Sequence, residues 1–128
     1  MHLLPKDRRS RHVLDDEQVC HAISGIGEPD NVASWATRFA LLGDPSRLTL
    51  LLGIHHAGLI SVTDLAVAAN MRDTSVSQAL RLLRANGIVG AHRDGRVVRY
   101  TLADDEMGEL LERVTPRAVS IARFRAAH

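Results

Sequence analysis

The apolar positions in the middle of the chain recur with the period of a helix: Val76, Leu80 and Leu83 stand at i, i+4 and i+7, with Ala79 and Leu82 beside them. That spacing predicts an amphipathic helix over residues 73–86 with this set turned inward. Asp73 is placed to cap the first backbone N–H groups, and Gly87 sits where a left-handed residue closes the last turn. The opposite side carries Thr74, Ser77, Gln78, Arg81 and Arg84, with no acid among them. Residues 88–93 and 96–102 follow as two short runs joined by Asp94-Gly95, a pair whose tolerance of positive φ predicts a tight hairpin.

Upstream, residues 1–14 show no apolar period and read as a flexible polar arm. Asp15 or Asp16 caps a short helix through Ile23, with Val19, Ala22 and Ile23 inward, before Gly25, Gly27 and Pro29 break the chain. A second helix is expected over about residues 31–42, where Val32, Trp35, Phe39 and Leu42 share a face. Asp44 as N-cap and Pro45 at the first helical position open a third, deeply apolar helix (Leu48, Leu51, Leu52, Ile54) that Gly58 ends. Residues 61–70 read as a short helix, and a turn at 70–72 leads into the 73–86 helix; two helices so joined form a helix-turn-helix. Met107, Leu110, Leu111 and Val114 mark another amphipathic helix, interrupted at Pro116, after which Thr115-Pro116 opens a last segment with Val119, Ala122 and Phe124. The expected fold is mainly α with a small β-hairpin, a winged helix-turn-helix. Residues 15–128 form its single domain with flanking dimerisation helices.

Composition narrows the function. The 128 residues are 45% hydrophobic, enough for an ordinary core, and no uncharged run approaches the length of a membrane span. Charges from Lys6 onward leave no secretory signal pattern, and a single cysteine rules out an internal disulfide framework; both agree with a cytoplasmic protein. Aromatic residues are only 3%, which argues against stacking platforms for single strands. Net charge is +1, but residues 72–99 hold six Arg against Asp73 and Asp94, while residues 100–113 hold five acids against Arg113. Such segregation provides a basic surface for phosphate. No Ser/His/acid order, Gly-rich phosphate loop or HExxH pattern points to an enzyme.

A helix of this size fits the major groove, where Gln pairs with an adenine edge and Arg with a guanine edge. The hairpin Arg residues reach the backbone or the minor groove, and phosphate contacts supply most of the affinity. One chain presents one recognition helix, so two-fold half-sites require a homodimer. Trp35, Phe39, Met107, Leu110, Leu111 and Val114 lie outside the tri-helical core and are the expected dimer interface. A protein-interaction winged helix is the rival reading; it expects no salt-dependent DNA binding.

Four stretches together resemble the ArsR/SmtB family of metal-responsive repressors: Leu42-Gly43-Asp44-Pro45-Ser46-Arg47-Leu48-Thr49-Leu50-Leu51, Val62-Thr63-Asp64-Leu65-Ala66, the run from Ser75 to Arg84, and the run from Arg93 to Tyr100. The resemblance covers roughly residues 32 to 114. It implies a homodimeric winged-helix repressor that binds double-stranded operator DNA and leaves it when an inducer, often a metal ion, binds. By the same resemblance the DNA-reading positions are Thr74, Ser75, Ser77, Gln78 and Arg81. Arg84 adds charge beside them, and the wing contributes Arg93, Arg96 and Arg99. Ala79 stands where many relatives carry His.

The inducer site departs from the family patterns. Ser61 and Thr63 replace a Cys-x-Cys motif, although Asp64 is retained. Asp104 and Glu106 fit the first half of the paired site on the last helix, but Arg117 and Ser120 fall where its second half belongs. Cys20, His21 and Asp64 are therefore the expected ligands, since a thiolate and an imidazole suit zinc, nickel or cobalt. Cys20 as a small buried hydrophobe and Asp64 as a helix cap are the plainer alternatives. The pair His55-His56, in the last turn of its helix, is a possible second site. A regulator of the same fold with a non-metal signal, or with no inducer, stays open at this point.

Overall fold

Asp15 caps the first long helix of the chain, its carboxylate accepting the Gln18 N–H at 3.2 Å. The computed structural model describes residues 5–8 and 11–116, so the segment expected to carry Val119, Ala122 and Phe124 lies outside the described residues. The chain divides into two compact units, Met1–Ala40 and Leu41–His128.

In the first unit a 3-10 turn at Lys6–Arg8 precedes helix α1 (Asp16–Ile26) and helix α2 (Pro29–Leu42), whose last two residues belong to the second unit. Helix α1 runs past the expected end at Ile23. Gly25 weakens a helix without stopping it, whereas Gly27 takes φ 68° and returns its N–H to the Ile23 carbonyl. On α2 the Trp35 and Phe39 rings lie 5.7 Å apart, and the Arg38 guanidinium sits 4.4 Å from the Trp35 ring centre.

The second unit begins with helix α3 (Pro45–Ala57). Asp44 accepts the Arg47 N–H at 3.0 Å and Pro45 occupies the first turn, as the Asp-Pro pair implies. Strand β1 (Ile60–Ser61), helix α4 (Val62–Ala69), helix α5 (Asp73–Ala85), strands β2 (Val89–Asp94) and β3 (Val97–Leu102), and helix α6 (Asp105–Val114) follow. Helix α4 closes on Asn70 in the left-handed region (φ 54°), where the Met71 N–H reaches back to the Ala66 carbonyl; this tight reversal sets α5 against α4. The strands form one antiparallel sheet in the order β1-β3-β2, with Ile60 opposite Tyr100 and Val89 opposite Leu102. Strand β1 was not legible as a strand: two residues leave no period.

Leu50, Leu51, Ile54, Val76, Leu80, Leu83, Met107 and Leu111 are fully buried in one core built from α3, α5 and α6. Burial of each such side chain stabilises the fold by about 1.5–3 kcal/mol. The inward face expected for α5 is confirmed at Val76, Leu80 and Leu83, but Leu82 is 42% exposed because it lies about 100° round the helix from Leu83. Arg72, not Asp73, is the N-cap of α5, and it makes no side-chain cap bond; Asp73 is the first helical residue and acts on the helix dipole alone. Gly87 does adopt positive φ (72°), and the Ile88 N–H returns to the Leu83 carbonyl, turning the chain directly into β2.

Candidate DNA-binding surface and histidine–glutamate cluster

The side of α5 opposite the core presents Thr74, Ser75, Gln78, Arg81 and Arg84 to solvent, with Ser77 half-buried at its edge. Ser77, Arg81 and Arg84 line an open cleft with Tyr100 of β3, so the basic side of the helix and the hairpin meet there. The hairpin loop is Gly95-Arg96, one residue later than the Asp94-Gly95 expected, because Asp94 pairs with Val97. Gly95 takes φ 63° and no other residue of the turn is left-handed, which is the two-residue turn with glycine first. The shift places Arg96 at the tip of the wing.

Cross-strand partners share a face, and faces alternate along a strand. Arg93 opposite Val98 therefore lies on the face of Tyr100, while Arg99 opposite His92 lies on the other. A guanidinium nitrogen of Arg99 is 3.6 Å from the Asp94 carboxylate. Nine DNA-facing residues were expected: Thr74, Ser75, Ser77, Gln78, Arg81, Arg84, Arg93, Arg96 and Arg99. They thus fall on two adjoining elements, α5 and the β2–β3 wing.

The expected metal ligands belong to both units. Cys20 (half-buried) and His21 (exposed) are neighbours on α1 in the first unit, and Asp64 is exposed in the first turn of α4 in the second. The Asp64 N–H donates to Ser61 Oγ at 3.2 Å, completing the cap of α4. Asp104 caps α6, accepting the Met107 N–H at 3.1 Å. Arg117 and Ser120 lie outside the described residues.

Another set comes together within the second unit. Among the described residues, one group of three carries metal-ligating atoms all within 4.8 Å of one another: His55, His56 and Glu112. His55 Nε2 lies 2.7 Å from Glu112 Oε2, and His56 Nε2 lies 2.9 Å from Thr115 Oγ1, whose hydroxyl donates to the Leu111 carbonyl at 2.8 Å. Helical spacing explains the arrangement. Gly108 and Glu112 stand at i and i+4 on α6, and Thr115, the C-cap of α6, follows at i+7 on the same side. A Cβ at Gly108 would stand 3.8 Å from the His55 ring, an ordinary van der Waals distance, so the imidazole packs beside the α6 backbone. The hydrogen bond from His55, aided by the charges of both histidines, holds the Glu112 carboxyl below the ordinary glutamate range. Glu112 was missed in the sequence because its pairing with His55 spans 57 residues.

Two of the residues expected at a dimer interface are corrected. Met107 and Leu111 are fully buried in the chain's own core, so they have no surface left for a partner. The outward sides retain Phe39 (55% exposed) and Val114 (58%), with Trp35 and Leu110 half-buried.

A helix-turn-helix with a basic outer helix and an arginine-bearing hairpin defines a winged-helix transcriptional regulator rather than an enzyme. No protein-family model matches the chain. The HTH-type transcriptional regulator NmtR of Mycobacterium tuberculosis is 36% identical to it over 98 residues, covering 72% of this chain and 81% of the relative. The transcriptional repressor SmtB homolog of Synechocystis sp. is 37% identical over 98 residues, covering 77% and 74% respectively. Among solved structures, the homodimeric winged helix-turn-helix DNA-binding domain of a possible ArsR-family regulator from Mycobacterium bovis superposes with a TM-score of 0.55. It shares 28% identity, over 69% of this chain and 84% of that one. The chain belongs to the ArsR/SmtB family of transcriptional repressors.

Proposed function

We propose that this protein acts in the cytoplasm as a homodimeric repressor, binding double-stranded operator DNA and releasing it when a transition-metal ion such as zinc, nickel or cobalt binds. The observation that carries the DNA reading is the cleft where Ser77, Arg81 and Arg84 of α5 adjoin Tyr100 of the wing. With α5 in a major groove, Gln78 and Arg81 read base edges, Thr74 and Ser75 bond phosphate near the helix N-terminus, and Arg96 follows the neighbouring backbone. Helix dimensions require a second copy to occupy a second half-site about one helical turn away. Phe39, Trp35, Leu110 and Val114 supply apolar surface for that pairing. No helix among the described residues is long and apolar enough to cross a membrane.

A metal inducer fits the donor chemistry of the chain: two imidazoles and a carboxylate stand near one another, whereas one cysteine per chain cannot build a thiolate cage. The test is selection of duplexes from a random-sequence pool on the metal-free protein, followed by affinity measurements across salt. A repressor yields an enriched two-fold sequence and a log–log salt slope of several units. Binding with no enriched sequence and no salt dependence returns the chain to a protein-interaction role.

A further inference from the structure

We propose that His55, His56 and Glu112 form a binding site for a divalent transition-metal ion, and that its occupancy weakens operator binding. The regulatory half rests on the repressor reading above; the ligand half does not. Two neighbouring imidazoles at the end of α3 converge with a carboxylate from the last turns of α6, the three donors lying within 4.8 Å of one another. Two nitrogens and one oxygen make a set that zinc, cobalt or nickel accepts, leaving further positions for water. Glu112 is two-thirds exposed (67%), so an ion has a path from solvent, whereas the His55 side chain is 23% exposed and held in place.

The geometry is close to, but short of, a coordinated one. Metal–ligand bonds of about 2.0–2.2 Å at tetrahedral angles hold donors about 3.3–3.6 Å apart. An ion must therefore open the 2.7 Å contact between His55 and Glu112 by about 0.6–0.9 Å. It must also draw in any donors that stand wider than this, none of them more than 4.8 Å apart. It replaces the hydrogen bonds of His55 to Glu112 and, where it takes the Nε2 of His56, of His56 to Thr115. Both adjustments shift the end of α6 relative to α3. Only Ala103 and Asp104 separate α6 from β3, and the Ala103 N–H is itself bonded to the Ile88 carbonyl at 2.9 Å. Leu102, the last residue of β3, lies 3.2 Å from where a Cβ at Gly108 would stand. A displaced α6 therefore presses on the strand that carries Arg99 and, through the turn, Arg96.

Titration of the metal-free full chain with Co2+ decides the ligand half. The site predicts one equivalent per chain, with weak d–d absorption and no intense sulfur-to-metal band, and displacement by Zn2+. Glu112→Gln and His56→Gln each weaken binding by at least about tenfold, and Cys20→Ser leaves it unchanged. Wild-type affinity in Glu112→Gln, or loss of the site in Cys20→Ser with a sulfur band present in the parent, overturns it in favour of the set Cys20, His21 and Asp64. Glu112 is exposed, so its variant keeps the assay decisive even where His56→Gln does not fold.

The regulatory half is read on the duplex selected above. Coupling is reciprocal, so Co2+ must lower DNA affinity by the factor by which DNA lowers Co2+ affinity. Equal Co2+ affinity with and without the duplex overturns it. Absence of duplex binding by the metal-free chain instead defeats the repressor reading, and with it the regulatory half, while the cobalt titration still judges the ligands.

Discussion

Arg93 and Arg99, both expected among the DNA-binding residues of the wing, lie on opposite faces of the β2–β3 hairpin, Arg93 with Tyr100 and Arg99 with His92. The faces are not equivalent, because Tyr100 opens onto the cleft it shares with Arg81 and Arg84, while Arg99 is drawn to Asp94.

The wing arginines should therefore differ in their salt signatures. Arg96→Ala, at the tip, should weaken binding to all duplexes and make the log–log salt slope shallower by about one. Arg99→Ala should change the slope less, since its charge is already opposed by Asp94 at 3.6 Å. Asp94→Asn should tighten binding without altering sequence preference. Equal slopes for Arg96→Ala and the parent would remove the tip from the phosphate contacts.

Gln78 is exposed on the side of α5 away from the core, where its amide is free to meet a base edge. Gln78→Ala should erase about 1–3 kcal/mol of discrimination at one base pair of each half-site. Binding to unrelated duplexes should stay close to that of the parent, as competition assays on singly altered duplexes will read.

Leu80 and Leu82 separate burial from apolar character. Leu80→Ala empties a fully buried position and should cost about 2–5 kcal/mol in chemical denaturation. Leu82 is 42% exposed, so the same change there should cost about 1 kcal/mol.

Phe39 and Met107 separate interface from core in the same way. Phe39→Glu should shift sedimentation toward monomer while the circular dichroism of each chain is retained. Met107→Ala should lower the melting temperature instead, because Met107 is fully buried within one chain.

In the metal-free protein Glu112 should titrate below the ordinary glutamate value of about 4.3. A carboxyl lowered in the folded state contributes stability above the unfolded value, and the contribution is lost as pH falls through the lower folded one. Carboxyl-carbon NMR across pH should show this, and His55→Gln should return Glu112 toward the ordinary range, since the His55 hydrogen bond is the largest cause of the shift.

Local rules were enough to recover most elements, among them helix α5 with its polar, basic outer side, from the order of residues. The Asp44-Pro45 start, the Gly58 and Gly87 stops, and the Val76, Leu80, Leu83 stripe each depend on neighbours within a turn or two, and each stands where that logic puts it. What local rules cannot reach is pairing over long separations. Whether Met107 faces a partner or its own core depends on which helices pack against α6, and an amphipathic stripe reads the same in both cases. The turn slid to Gly95-Arg96 through strand register, a property of two strands together, and that moved Arg96 to the tip and put Arg93 and Arg99 back to back. His55-His56 and Glu112 are unremarkable helix-end residues until α3 and α6 cross. Their meeting is a product of core packing, which brings distant segments together only in the folded chain.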